Sequence, residues 1–517
     1  MKVISADMMR DMDRVAIEER GIPSLDLMEA AGAGVAERVI DLLGDSRGRN
    51  VSIFCGKGNN GGDGFVVARY LAEADVVVKI FLLEEPKDLT TDAAVNFEKL
   101  PEKVTVIRIT RDDDLSEIAA QLPKEDIIID ALLGTGISGP VKDEYARIIE
   151  LINSSGAHIV SVDIPSGVEG NTGQIGNVAV WADHTVTLAM PKFGLYLQPG
   201  SEYTGTISVV DIGIPDDVIK SFPLNYDILD FSEAKKLLPP RKGISHKGDY
   251  GRVLVIGGSR GMAGAMALAS ESAMRVGCGM VVAASPKNVQ ETLAVKLTEI
   301  MTLPLFENSE GTLVPDAVEQ LKERLDWADV VAIGPGFGLN ADTIGFMGKF
   351  LDVCQLPMIV DADGIKCIAP FKDKLTQNDR TVIITPHPGE LAYFLGIKQD
   401  KILDSYFHMT LDAAKKHGIV VHMKVHRSVT AHPDGPATIN ITGNSGMASA
   451  GSGDVLTGII AGLLAQGADP YDATRLGAFL HGLSGDIAAR ELSEYSMIAG
   501  DITKHLPNAI MRVVCGE

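Results

Sequence analysis

Residues Asn444-Ser445-Gly446-Met447-Ala448-Ser449-Ala450-Gly451-Ser452-Gly453-Asp454 are a run of small side chains that ends in a carboxylate where the apolar stretch 455–466 takes up helical spacing. Small residues let backbone N–H groups close on an anion, and the start of a helix adds its own unpaired donors, so the run suits phosphate or developing phosphoryl charge. An acid beside phosphate is repelled unless it has work to do. Asp454 therefore reads as the acceptor of a proton from a substrate hydroxyl.

A second set lies near the start of the chain. The β-branched stretch 51–55 runs into Gly56-Lys57-Gly58-Asn59-Asn60-Gly61-Gly62-Asp63-Gly64 and then a helix over 65–72. Gly56, Gly58 and Gly61 match G-x-G-x-x-G, a spacing that suggests a dinucleotide but also serves a plain strand-to-helix turn. No Lys-Ser or Lys-Thr follows, which removes a P-loop, and Asp63 would oppose a pyrophosphate. Two later strand ends carry Asp130 and Asp163-Ile164-Pro165-Ser166-Gly167. In an open parallel sheet these ends share one crevice, so Asn60, Asp130, Asp163 and Ser166 could converge there, either to hold a cation or to position an acid and a base.

The second half offers three more loops at strand ends: Gly257-Gly258-Ser259 leading to Gly264 and Ala265, Gly334-Pro335-Gly336-Phe337-Gly338, and Thr385-Pro386-His387-Pro388-Gly389-Glu390. Gly264 and Ala265 would admit a ligand close to the backbone, whereas Ala267 and Ala269 suit helix packing. His387, flanked by prolines, is either a rigid-turn residue or an imidazole held toward substrate.

These loops require parallel sheets to present them. Strands are expected at 51–55, 76–83, 104–109, 127–133 and 158–163, then at 253–256, 280–284, 330–333, 358–360, 382–384 and 419–423, with helices between. Ser5 and Ser24 read as N-caps of two helices that precede them. The alternation lapses between 219 and 251, around Leu238-Pro239-Pro240, so two α/β domains are expected, 1–222 and 223–517, each a mainly parallel sheet covered by helices.

A net charge of −22 over 517 residues argues against nucleic acid and against an anionic membrane surface as partners. Five scattered cysteines form no C-x-x-C pair, and no apolar run reaches membrane-spanning length. A cytoplasmic protein acting on small molecules, as a homo-oligomer, is expected.

The glycine run 56–64, the loop 134–140 and the Asp163–Gly167 segment together resemble the NAD(P)H-hydrate epimerase domain of the YjeF-type repair proteins. The resemblance implies a Rossmann-like fold in which Asn59, Asn60, Gly61, Gly62, Asp63, Gly134, Thr135, Gly136, Ile137, Ser138, Gly139, Pro140, Tyr145 and Asp163 contact the hydrated nucleotide. By the same resemblance Asn60, Asp130 and Ser166 hold potassium and Asp163 is the catalytic acid/base. The second half resembles the ribokinase-like superfamily, specifically the ADP- or ATP-dependent NAD(P)H-hydrate dehydratases. That likeness makes Asp454 the catalytic base, sets Gly451, Ser452 and Gly453 together with Lys424, Val425, His426, Arg427 and Ser428 around the nucleotide, and brings Ala265, Gly338 and His387 to the hydrate. ADP, or ATP in its place, would be the phosphoryl donor, with magnesium on its phosphates. The chain departs from the family pattern at Val425, Ser445 and Ala450, where glycine, proline and glycine are usual. Against this bifunctional repair reading stand a ribokinase-like kinase of a small alcohol fused to a non-catalytic binding module, and a dinucleotide oxidoreductase using the first glycine run.

Overall fold

The computed structural model describes residues 1–110 and 113–516. Arg111 and Asp112, inside the expected 1–222 domain, and Glu517, the last residue of 223–517, lie outside that description. The chain forms two compact units, Lys2–Leu224 and Met1 with Asn225–Glu517. Among the described residues, no helix is long and apolar enough to cross a membrane.

The first unit holds strands β1 (Asn50–Cys55), β2 (Val77–Leu82), β3 (Thr105–Arg108), β4 (Ile127–Ala131), β5 (His158–Val162), β6 (His184–Leu188) and β7 (Thr206–Val210). They lie in the order 3-2-1-4-5-6-7, and every pairing is parallel. The order reverses between β1 and β4, so the loops after these two strands open a crevice at the carboxyl edge of the sheet. β4 is buried from end to end and β1 at every residue after Asn50, because helices cover both faces.

The second unit holds β8 (Tyr226–Ile228), β9 (Arg252–Ile256), β10 (Met280–Pro286), β11 (Met301–Leu305), β12 (Val330–Ile333), β13 (Met358–Val360), β14 (Val382–Ile384), β15 (Val420–Met423), β16 (Val429–Ala431) and β17 (Ala437–Ile439), in the order 11-10-9-12-13-14-15-16-17-8. Pairings from β11 to β15 are parallel. β16 runs antiparallel to both of its neighbours. Here the order reverses between β9 and β12, which sets the Gly257 and Gly334 loops side by side.

Several expectations change. The helix placed at 65–72 spans Asn59–Glu73, so Asn59 to Gly64 are its first turns and not a loop before it. Ser5 does cap a helix, its side chain accepting from Met8 N, but Ser24 is the first residue of its helix and Pro23 takes the cap position. Strands β6, β7, β8, β11, β16 and β17 lay outside the expected set. β6 is the clearest case, because His184, Thr185 and Thr187 break its apolar run yet are buried.

Close approach of two helices sets the position of Asp454. Ser452–Ala465 packs along Ala263–Arg275, with Val455, Leu456, Ile459, Ile460 and Leu463 buried, each burial contributing about 1.5–3 kcal/mol before chain entropy is counted. Gly458 is what permits it. A Cβ there would stand 2.0 Å from the Ala269 carbonyl oxygen, and one at Gly462 would stand 2.4 Å from Val276 Cγ1. Gly458→Ala is therefore expected to cost about 1–3 kcal/mol by overpacking, read as a lower unfolding temperature for the second unit in calorimetry. An unchanged transition would mean that the two helices have room to separate.

Candidate functional sites

In the first unit a cavity of about 720 Å³ opens at the reversal of strand order. Asn59, Asn60, Asp63, Gly134, Thr135, Gly136, Ile137, Ser138, Pro140, Tyr145 and Asp163 all line it. Gly61, Gly62 and Gly139 do not. Gly61 is needed for packing, since a Cβ would meet the Gly56 carbonyl oxygen at 1.9 Å, and Gly62 lies against Met28. Gly139 takes a left-handed turn with φ of 78°. Tyr145 donates from its hydroxyl to Glu84 Oε1 at 3.0 Å.

Asp130 and Ser166 are wholly buried and lie outside the cavity lining. Ser166 donates from Oγ to Asp130 Oδ1 at 2.5 Å, and Ser166 N and Ser161 Oγ donate to Oδ2 at 2.8 and 2.9 Å. Leu133 N in turn donates to Ser166 Oγ at 2.9 Å, so this carboxylate ties the loop after β4 to the loop after β5. Burial raises the Asp130 carboxyl above its ordinary value, against the opposing pull of these donors. Asn60 is different: one end of its buried amide has no protein partner.

Asp163 sits just beyond β5 with φ of 66°, a left-handed conformation that Asp tolerates better than most residues. Its Oδ1 accepts from Lys192 Nζ at 2.5 Å, from Leu188 N at 3.1 Å and from Thr187 Oγ1 at 3.2 Å. Lys192 is 1% exposed. Asp13 and Asp63 share this neighbourhood. Burial, with Asp163 nearby, pushes Asp63 well above the usual carboxylate range, and burial moves Asp13 up to about 6 with Lys192 opposing it.

Lys192 and Asp13 were not anticipated from the sequence, although each left a trace there. Lys192 is the sole charge between Asp183 and Glu202. Asp13 stands four residues after buried Met9 and so shares its helix face.

In the second unit Gly451, with φ of 94°, caps the helix Ser452–Ala465, and Asp454 lies in its first turn. His481 Nε2 donates to the Ser452 carbonyl oxygen at 2.9 Å and holds that helix start. Burial lowers His481 to about 4, so it does so as a neutral ring. A Cβ on Gly453 would lie 3.1 Å from Lys424 Nζ, which puts the lysine directly against the loop. Lys424 donates to Asp361 Oδ1 at 2.5 Å and lies 3.9 Å from Glu390 Oε2, while Thr457 Oγ1 donates to Asp361 Oδ2 at 2.8 Å. Burial would lower the Lys424 ammonium, but Asp361 and Glu390 outweigh it and hold it above its ordinary value. Burial, reinforced by Asp361, pushes Asp454 up to about 7 despite Lys424.

His387 caps the helix Pro388–Leu395. Its Nδ1 accepts from Gly389 N at 3.0 Å and from Glu390 N at 3.3 Å, while Glu390 Oε2 accepts from His387 N at 2.9 Å. Nδ1 is thereby committed, and the proton falls to the half-exposed Nε2 side. Ala265 and Gly338 come to the β9–β12 reversal: a Cβ on Gly336 would meet Ala265 Cβ at 3.2 Å, and one on Gly338 would lie 3.5 Å from Ser259 Oγ. That hydroxyl is buried with no protein partner. Val425, His426, Arg427 and Ser428 form the turn between β15 and β16, with Arg427 at φ of 58° donating from Nη1 to the Ile441 carbonyl oxygen at 2.8 Å. Asp361 and Thr457 went unread in the sequence, although Asp361 follows β13 just as Asp163 follows β5.

Both halves of the chain match known proteins. A family model described as NAD(P)H-hydrate dehydratase matches residues 253–508, and one described as YjeF-related protein N-terminus matches residues 24–194. The bifunctional NAD(P)H-hydrate repair enzyme of Moorella thermoacetica is 43% identical over 511 residues, which cover 98% of this chain and 96% of that one. The enzyme of the same name from Escherichia coli K12 is 35% identical over 511 residues, 98% of this chain and 93% of its own. A ribokinase-like superfamily protein from Enterococcus faecalis superimposes with a TM-score of 0.50 at 26% identity, covering 56% of this chain and 98% of that one.

The raised Asp454 carboxyl has a consequence for stability. Its folded value, about 7, exceeds the unfolded 3.8, so the folded chain binds more protons between these limits and loses stability as pH rises through that window. Asp454→Asn is therefore expected to raise the unfolding temperature of the second unit at pH 8, with a smaller gain at pH 5.5. Calorimetry at the two pH values checks this, and an equal or reversed difference would contradict the burial of the charge.

Proposed function

Because the chain belongs to the bifunctional NAD(P)H-hydrate repair enzymes, which join an epimerase to a dehydratase, we propose that the two activities divide between its two units. The first interconverts the R and S hydrates in the cavity at the β1–β4 reversal, with Asp163 as acid/base. The second dehydrates the S form at the expense of ADP, with Asp454 as base.

The observation that carries the second assignment is Asp454 itself: a half-buried carboxyl in the first turn of a helix, beside a glycine-capped loop and Lys424. Asp454 takes the proton from the hydrate's hydroxyl as its oxygen attacks the terminal phosphoryl group of ADP, and the P–O bond bridging to AMP breaks with its electron pair leaving on AMP. The backbone donors of Gly451 to Gly453 and the Lys424 ammonium meet the charge that develops on phosphorus. Phosphate then leaves with the C–O electron pair, a neighbouring C–H proton departs and the ring double bond returns. Hydroxide would be a far poorer leaving group. Ala265, Gly338 and His387 would flank the hydrate, and the turn 424–428 the nucleotide.

Both proposed ions fit the residues present. Asp361, Glu390 and Asp454 face a single lysine, an excess of negative charge suited to a polyphosphate that arrives with its own divalent cation. No group of three or more His, Cys, Asp or Glu among the described residues is arranged to hold a metal, so magnesium would come with the phosphates, which it neutralises. In the first unit Asn60, Asp130 and Ser166 are the proposed potassium ligands. A half-turn of the Asn60 amide would bring an oxygen to the end that lacks a partner.

The test is the recovery of NADH absorbance from mixed hydrates, with ADP or with ATP. The full chain should recover the signal from both epimers. Asp454→Asn should lose dehydration by at least about 10²-fold and keep epimerisation, and Asp163→Ala should do the reverse. Dehydration should rise with pH up to about 7 and then level, because the base form is required. A stable phosphorylated product with no NADH recovery would instead favour a small-alcohol kinase, and retained turnover in either variant would remove that residue from its role.

A further inference from the structure

We propose that Asp13 is the second proton-transfer group of the epimerase cavity, acting together with Asp163 on the hydroxyl-bearing carbon of the hydrate. The proposal rests on the reading of the first unit given above. Asp13 belongs to the helix Ala6–Arg14, whose Met9 and Met12 are buried in the core. It lines the cavity beside Met9 and Arg10. Its Oδ1 is buried and has no protein partner. A carboxyl oxygen left without a partner inside a cavity is costly to the fold and is explained if a ligand supplies the missing contact.

The charges around it assign its role. Three carboxyl groups, Asp13, Asp63 and Asp163, face one buried ammonium, that of Lys192. The lysine gives its shortest contact to Asp163, at 2.5 Å, and also donates to the Leu188 carbonyl oxygen at 2.8 Å. Arg10, on the same helix as Asp13, is paired with Asp7. Asp13 therefore feels the lysine at a distance without touching it. Burial is the main influence on Asp13 and moves its carboxyl up to about 6, while burial and the neighbouring Asp163 and Asp13 push Asp63 well above the usual carboxylate range. Asp13 and Asp163 thus sit in contrasting environments, one unpartnered and one ion-paired, which is how a site separates an acid from a base.

The hydrate carries its hydroxyl on the ring carbon next to nitrogen. Asp13 in its acid form gives its proton to that hydroxyl, the C–O bond breaks with its electron pair leaving on water, and the nitrogen lone pair closes to a ring iminium. A water molecule then adds to the opposite face, and Asp163 takes the proton it sheds. One hydroxyl has left and one has returned, and a single proton has passed from Asp13 to Asp163. The reverse epimerisation runs with the roles exchanged.

The test follows conversion of the R to the S hydrate by the full chain without ADP, with the epimers resolved by chromatography and the uncatalysed rate subtracted. Asp13→Asn is expected to lower kcat by about 10²-fold or more, with KM within roughly threefold, and Asp13→Glu to restore part of it. The wild-type rate should fall above an apparent pKa near 6, as the acid form is lost, and this limb should be absent from Asp13→Asn. A wild-type kcat in Asp13→Asn, or a reduced one with the alkaline limb intact, would overturn the proposal. If Asp13→Asn fails to fold, carbon-13 NMR of the wild-type aspartate carboxyls decides: titration of Asp13 near 6 supports it, and titration in the ordinary carboxylate range overturns it. A wild-type chain without catalysed epimerisation would remove the reading of the whole unit. An inactive Asp163→Ala beside an unaffected Asp13→Asn would remove only this inference.

Discussion

An ammonium ion drawn into the protein interior is stabilised by a carboxylate, and each unit of this chain is organised around one such pair, fully buried Lys192 with Asp163 and partly buried Lys424 with Asp361, both at 2.5 Å. Taking two charges out of water is expensive, and the pair survives only because further donors complete it: Thr187 and Leu188 N on Asp163, Thr457 on Asp361. The remaining carboxyls, Asp13 and Asp63 in one unit and Asp454 in the other, stand near the lysine without a full partner: burial raises each of them, neighbouring carboxylates add to it, and the lysine only partly opposes it. One economy of charge thus supplies both sites with groups able to exchange protons near neutrality.

The scaffold serves that arrangement by bringing backbone unusually close to backbone. Gly61 lets the helix Asn59–Glu73 start against the end of β1, and Gly458 lets the helix that carries Asp454 lie against the carbonyls of Ala263–Arg275. The helix Asn59–Glu73 begins where the first sheet reverses strand order, and the helix Ser452–Ala465 begins against Asp361 and Lys424, which follow β13 and β15 of the second. Neutral, half-buried His481 then holds the Ser452 carbonyl, and His387 spends Nδ1 on its own helix. These histidines orient backbone.

Much of this was legible in the sequence. Strand-helix alternation predicted two parallel α/β domains, and small residues before Asp454, with polar residues at the ends of 51–55, 127–133 and 158–163, marked the loops that the sheets present. What escaped has a physical pattern. β6 is interrupted by polar residues that are nonetheless buried, and β16 and β17 each carry a buried threonine between two apolar residues, unlike the equally short but wholly apolar β13 and β14. The start of the helix at Asn59 was hidden because asparagine and glycine read as turn residues, whereas here their small size permits the approach to Gly56.

The sequence by itself determined the residue types and the local geometry: a carboxylate after a glycine-capped loop, a carboxylate after a buried strand, and the alternation that puts both at a sheet's edge. Local spacing carries that information because helix starts and strand ends are set by neighbours a few residues away. Only the tertiary structure decided which carboxyl is ion-paired and which keeps its proton. Asp13 and Asp163 are 150 positions apart by their numbering, and Lys424 and Asp361 are 63 apart. Their protonation depends on distance through a poorly screened interior, a quantity that exists only once the sheets have brought them together.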